Sequence, residues 1–429
     1  MNLENISRIN ENRIKPLADD FIKPIESPDP GSIYTYTPGL VKLSDGGLIL
    51  TMELGGPGAK NLPEASAFGT PFVGKAFLSS DHGVTWQHLV DYPATHSRPF
   101  LAGDSLYILG HNEDLVILRS DDGGRIWGKP CFLTQGEHWH QSACNVWYDK
   151  GFVYLVMECL VDSSLKGWPV EDAAPVLMRA PVGADLTRRE SWTFSNKLPF
   201  HDVVKGEQLE WFGVPFYPEV KGALFYEEVP HRECSPIGWL ETNIVKISDP
   251  GHYWYDESGK TFHLFARAHT GGTGYCAMLK AVEQPDGSIK TMLETAPSGK
   301  KYLFLPMPGG QMRFHMLYDE ETKLYWLLSS QATDSMTRAA LLGPDRYNLP
   351  NNERHRLQLH FSTNCVDWCF AGIVAIGETP RCSRHYASMI IDGEDLLVAS
   401  RSGDTRAKSA HNGNFISVHR IENFRGLVY

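Results

Sequence analysis

The sequence lacks the short signatures that announce common chemistries. It has no CxxC pair, no HExxH, no GxGxxG fingerprint and no P-loop, and "GGTG" at 271–274 is too generic to stand for a nucleotide loop. It has no excess of basic residues: 40 Lys and Arg against 51 Asp and Glu leave a net charge of −11, which argues against a polyanion-binding surface and for no nucleic-acid partner. No apolar run reaches membrane-spanning length, so no membrane partner is expected. The opening "MNLENISRINENRIKPLADD" is polar and has no apolar core of a secretory signal, which predicts a cytoplasmic chain, or a secreted or periplasmic one if a leader has been trimmed. The eight cysteines are dispersed, with only Cys365 and Cys369 close together, so reduced thiols are expected rather than a disulfide framework or a cysteine metal site.

What is present is turn-rich and apolar. Of 429 residues, 42% are hydrophobic, 39 are glycine and 27 proline, a mixture that favours short strands over long helices. Segments such as "GLVKLSDGGLILTMEL", "DSLYILG", "GFVYLVME", "TFHLFARA", "KLYWLLSS", "DLLVASRS" and "FISVHRI" read as strands, several entered from Gly- or Asp-containing turns. No linker interrupts them. The expectation is a single all-β domain over 1–429, with 1–30 as an N-terminal extension or closing segment.

The strongest repeat is "SSDHGVTW" (79–86) followed by "SDDGGRIW" (120–127), each after an apolar run. Asp81 and Asp122 can accept hydrogen bonds from turn N–H groups, Gly83 and Gly124 supply positive φ, and Trp86 and Trp127 pack back across the sheet. "GADLTRRESW" (183–192) and "STNCVDW" (362–368) are weaker copies. The pattern resembles the Asp-box (BNR repeat) of sialidase-like β-propellers, a structural device that implies a scaffold and no particular chemistry. Trp127 and Trp192 lie 65 residues apart and Trp192 and Trp368 lie 176 apart, close to three further steps, so seven blades are expected, with six as the alternative.

A propeller converges its inner strands on one funnel, so site residues should come from different repeats. The candidates are Tyr34 and Tyr36, His96 and Arg98 in "ATHSRPF", His138 and His140 in "GEHWHQSACN", Glu158, Glu241 and Asn243 in "WLETNIV", Arg267, Arg313, His385 and Tyr386 in "SRHYASM", Arg401, His411 and Asn414. Histidine suits proton transfer near neutrality, and small residues after His140 leave room for a ligand. His138 reads as its loop neighbour. Arg267 and Arg401 end apolar runs beside Gly- or Ser-rich loops, where a guanidinium can fork a carboxylate. A metal clip of His138 and His140, with His96 or His385 as third ligand, has little support in the sequence, which leaves room for a structural calcium or other ion and calls for no cofactor.

The stretches "HSRPFLAGDSLYILG", "HQSACNVWYDKGFVYLVME", "GWLETNIVKI", "PGGQMRFHMLYDEETKLYWLLSS" and the closing "HNGNFISVHRIENFR" resemble the propeller lyases and hydrolases that act on terminal rhamnose linked to glucuronate. The resemblance implies an oligosaccharide or polysaccharide substrate, histidines for proton chemistry and an arginine to neutralise the uronate. His96 and His140 are the positions that look like those histidines, Arg267 or Arg401 would be the neutraliser, and His385 with Tyr386 would complete the subsite. β-Elimination would then use His140 as base and His96 or Tyr386 as acid, with Arg98, Glu158, Glu241, Asn243, Arg313, His385 and His411 as substrate contacts. True sialidases differ: their resemblance implies an Arg-Ile-Pro motif, three arginines on a carboxylate and a Tyr–Glu nucleophile pair, and here "SRPF" has no Ile. Hydrolysis through Glu158 or Glu241 is the alternative, and a non-catalytic glycan-binding propeller a third. Oligomeric state is not fixed by the sequence.

Overall fold

The computed structural model describes residues 14–161, 170–203, 238–269, 273–336 and 353–429, together with the backbone of Leu209–Glu210, Tyr226–Val229 and Arg232–Cys234. Six antiparallel sheets of four or five strands follow one another along the chain as blades. Their first strands are Tyr34–Thr35 with Gly39–Lys42, Thr95–Ala102, His138–His140 with Trp147–Asp149, Gly238–Val245, His315–Asp319 and Arg384–Asp392. The sixth blade takes its outermost strand from the other end of the chain, Ile22–Glu26 pairing with Phe415–Ile421, so the ring is joined by main-chain hydrogen bonds.

The expected seven blades are therefore corrected to the alternative six. Trp192 and Trp368 follow the third strands of blades 3 and 5, so the 176 residues between them hold two blades and not three. The surplus chain lies between the strands ending at Phe194 and beginning at Gly238 and between those ending at Ser330 and beginning at Arg356.

All four tryptophan-bearing turns occupy one place, between third and fourth strands. In blade 1, Asp81 accepts from the Thr85 N–H at 2.8 Å and the Trp86 indole donates to the Gly83 carbonyl at 3.0 Å. Blade 2 repeats this with Asp122, Ile126 and the Trp127 indole on Gly124 at 2.8 Å. Gly83 and Gly124 have φ of 90° and 93°, where a Cβ is disfavoured.

Second and third strands are apolar on both faces because each blade is covered by a neighbour on either side. Tyr154, Val156 and Leu177 of blade 3 pack on Phe262, Leu264 and Leu279 of blade 4, and comparable wedges fill the other seams. The seven cysteines with described side chains are unpaired. Among the described residues, no helix is long and apolar enough to cross a membrane.

Candidate active site

Three of the first strands carry the same irregularity. In blade 2 Thr95 pairs with His111 and Arg98 with Leu109; in blade 4 Leu240 pairs with Arg267 and Asn243 with Phe265; in blade 6 His385 pairs with Arg401 and Ser388 with Ala399. Each strand thus holds one residue more than its partner, a β-bulge. The bulged residues are His96, Glu241 and Tyr386, with left-handed φ of 52°, 60° and 49°. Among the described residues six other non-glycines have positive φ, and all lie outside the strands. Backbone held this way inside a strand costs energy and is found where side chains must be aimed. Directly across from the residue before each bulge stand His111, Arg267 and Arg401, so alternate blades deliver two functional groups apiece by one local device.

These groups surround a cavity of about 350 Å³ lined by Tyr36, His96, His140, Glu241, Tyr386 and Arg401, with Gly55, Gly56 and Phe72 along one side. Gly56 is left-handed, and a Cβ there would come within 2.7 Å of the Ser32 carbonyl. Arg267 donates to the Tyr386 hydroxyl at 2.7 Å and to Glu241 at 3.2 Å, and Tyr386 also hydrogen-bonds Glu241. Ser142 donates to the other Glu241 oxygen at 3.1 Å. Arg401 lies 4.1 Å over the Tyr36 ring and 5.4 Å from the Tyr386 ring centre, and contacts His411 through Nδ1 and the carbonyl. Arg354 lies 5.2 Å over Tyr386 and bonds His385 Nδ1 at 2.9 Å. All three arginines are buried. Burial works against the charge of Arg267, but Tyr386 and Glu241 outweigh it and raise its pKa. Desolvation lowers Arg401, and lowers Arg354 to about 10, which still leaves Arg354 charged at neutrality. Burial raises the Tyr386 phenol, which keeps its proton at rest.

The opposite wall is imidazole. The His96 ring lies 5.2 Å from that of His140 and 5.4 Å from that of His111, with His96 Nδ1 3.3 Å from His111 Nε2. Burial, then mutual repulsion, holds His96 well below the usual histidine range and His111 at about 3; burial also lowers His140. Behind them Glu53 accepts from the bulged His96 N–H at 3.1 Å and lies 3.6 Å from His96 Nε2. Burial pushes Glu53 up to about 8, so it is largely protonated at neutral pH.

Below the cavity the funnel closes on a polar floor. Arg98 donates to the Val156 carbonyl at 3.1 Å and Arg313 to the Ala387 carbonyl and the Ser388 hydroxyl, each crossing a seam between blades. Asn243 bonds Phe314 O and Met316 N, and Asn145 bonds Ile244 O and N, side-chain amides that mimic strand pairing across two seams. Glu158 accepts from the bulged Thr242 N–H at 2.9 Å, as Glu53 does from His96.

The structure thus gathers His96, His140, Glu241, Arg267, Tyr386, Arg401 and His411 at one mouth. His385 sits fully buried behind Arg354. Arg98, Glu158, Asn243 and Arg313, expected as substrate contacts, lie in the floor with their bonds turned across seams. His138 is exposed at the start of its strand. Asn414 is buried and tied to Asp404 at 3.1 Å, and Tyr34 packs edge-on to Tyr36. Sequence reasoning missed Glu53, His111 and Arg354. A carboxylate inside the apolar run "LILTMELG" was a usable signal for the first; the other two follow ordinary strand residues or precede one and carry no local mark.

No family model matches the chain, and no curated protein matches its sequence. Solved structures do. The Hadza microbial sialidase Hz136 superposes with a TM-score of 0.54 at 12% identity, over 95% of this chain and 69% of that one. Trypanosoma rangeli sialidase, in complex with sialic acid, gives 0.52 at 12% identity over 96% and 60%. The intramolecular trans-sialidase of Ruminococcus gnavus, in complex with oseltamivir carboxylate, gives 0.50 at 11% identity over 94% and 97%. These likenesses establish a sialidase-like β-propeller fold.

Proposed function

We propose that the chain is a carbohydrate-active enzyme that cleaves a glycosidic linkage to a carboxylate-bearing sugar, by hydrolysis through Tyr386. One observation carries this reading: three buried guanidiniums, Arg267, Arg354 and Arg401, converge on a hydrogen-bonded Tyr386–Glu241 pair at the mouth of the funnel. Positive charge concentrated in a desolvated pocket of an acidic protein selects an anion, and the planar fork of arginine suits a carboxylate. A neutral phenol reaches a carbon beside that carboxylate without the repulsion an ionised nucleophile would meet. Glu241 takes the phenol proton as Tyr386 Oη attacks the anomeric carbon, Arg267 steadies the phenol oxygen as its proton leaves, and the leaving oxygen takes a proton from neutral His96, which is replaced from the protonated Glu53 carboxyl 3.6 Å away, leaving Glu53 as carboxylate. Water then resolves the glycosyl–tyrosine link with net retention. Two of the solved relatives hold carboxylate ligands, which supports the same substrate class.

The test is a panel of aryl glycosides, acidic and neutral, with Tyr386→Phe as partner. Release from an acidic glycoside, little from its neutral counterpart and loss in the variant are expected; equal turnover of neutral glycosides, or none of any acidic one, overturns the proposal. β-Elimination at a uronate is the second reading, favoured by His96 and His140 standing neutral and 5.2 Å apart beside the same arginines. Its product is a 4,5-unsaturated uronate with ultraviolet absorbance, whereas hydrolysis gives a saturated sugar carrying solvent oxygen.

A further inference from the structure

The imidazole wall holds more ligating atoms than proton transfer needs. We propose that His96, His111 and His140 bind one divalent transition-metal cation of the zinc class, with an open coordination position facing the cavity. Each histidine offers one nitrogen, and the three nitrogens all lie within 4.8 Å of one another. The His96 Nδ1 to His111 Nε2 separation is 3.3 Å. Two nitrogens bound to zinc at about 2.0–2.1 Å in tetrahedral geometry stand about 3.3–3.4 Å apart, so this edge is already at ligating length.

The outer contacts fit the same assignment. A metal-bound histidine normally donates its other ring nitrogen to a carboxylate or a main-chain carbonyl. His111 hydrogen-bonds the Gln141 main chain, and the far nitrogen of His96 faces Glu53 at 3.6 Å. Those partners leave His111 Nε2 and His96 Nδ1 turned toward each other, with a nitrogen of His140 within 4.8 Å of the ligating atoms of both. The three ligands sit on strands and not on loops: His96 at its bulge, His111 across from Thr95, and His140 opposite Glu158 in the next blade. Three neutral imidazoles suit zinc, cobalt, nickel or copper and disfavour calcium and magnesium, which take oxygen ligands. His96 and His140 line the cavity, so the remaining coordination position would meet a sugar oxygen or water. The cluster differs from the clip read in the sequence, since exposed His138 is not in it and His111 is.

A cation held here would take His96 from the acid role that the hydrolytic reading gives it, and the two are told apart because the readout is metal binding and not turnover. The full chain is stripped with a chelator and titrated with Co²⁺, following visible ligand-field absorption, and Zn²⁺ is then added in competition. One equivalent per chain, displaced by Zn²⁺, is expected. His96→Ala, whose side chain is partly exposed, and His111→Gln should each weaken binding by at least roughly tenfold to a hundredfold. His88→Ala, at an exposed imidazole paired with Asp91, and Tyr386→Phe should bind as the parent does. Should His111→Gln fail to fold, His96→Ala alone decides. Absence of a ligand-field band, unchanged affinity in folded His96→Ala, or equal loss in His88→Ala overturns the site.

Discussion

The funnel buries arginines at two levels, and the two levels use them differently. On the floor, Arg98 and Arg313 donate to main-chain carbonyls and a serine hydroxyl of the adjoining blade. At the mouth, Arg267, Arg354 and Arg401 also touch groups that titrate: Glu241 and Tyr386, His385, and His411. Burial of a guanidinium is therefore no mark of function by itself. The kind of partner is, because a carbonyl across a seam holds the scaffold together, whereas a phenol, an imidazole or a carboxylate can change protonation or yield its place to a ligand.

The sharpest way to break this contrast is at its two extremes. Tyr386→Phe removes one hydroxyl at the mouth and should lower kcat on an acidic glycoside by roughly 10³-fold or more while thermal unfolding stays close to the parent's. Activity within a factor of ten would erase the distinction from the catalytic side. Arg313→Ala should do the reverse, costing about 3–5 kcal/mol in urea unfolding by opening the seam between blades 5 and 6 and leaving the Ala387 carbonyl without its donor. Unchanged stability would show that the floor is not structural.

Glu53 and Glu158 sharpen the comparison further, since each props a bulge from the preceding blade but only Glu53 stands beside an imidazole at the mouth. Burial raises Glu53 to about 8 and Glu158 to about 7, above the usual carboxylate value, so the folded state holds these protons more tightly than the unfolded chain. Their contribution is fully present below about pH 4.5 and lost as pH rises through about 7–8. Unfolding free energy should thus slope downward over that window, and Glu53→Gln or Glu158→Gln should each flatten it by on the order of a few kcal/mol. Only Glu53→Gln should also move the pH profile of kcat; a matching shift in Glu158→Gln would merge the two levels. The smallest effect is expected at Asn145→Ala, about 1–3 kcal/mol in unfolding with kcat retained, because one bidentate clamp on Ile244 is lost.

Much of the scaffold was legible because it is written locally. A turn whose aspartate, glycine and tryptophan satisfy one another within eight residues declares itself wherever it occurs, and apolar runs between glycines read as strands. Blade number was not, since the residues added between Phe194 and Gly238 and between Ser330 and Arg356 lengthen the tryptophan spacing without adding a blade. The mouth was half legible. His140, Arg267, Arg401 and Tyr386 stand beside small residues or at the ends of apolar runs, but Arg98 and Arg313 look just the same in sequence. Arg98 differs from them in falling past the bulge of its strand and Arg313 in preceding an unbulged one, and neither "THSRP" nor "LETNI" nor "HYASM" contains the glycine that would betray a bulge.

Those three bulges also make the mouth editable in whole steps. Deleting a single amino acid at any one of them would restore simple two-by-two pairing, leave the flanking pairs as they are, and withdraw the one side chain that the bulge aims at the axis. A ring built this way can trade one recognition group for another through the loss or gain of one codon in alternate blades, while the wedges that hold it together keep their contacts.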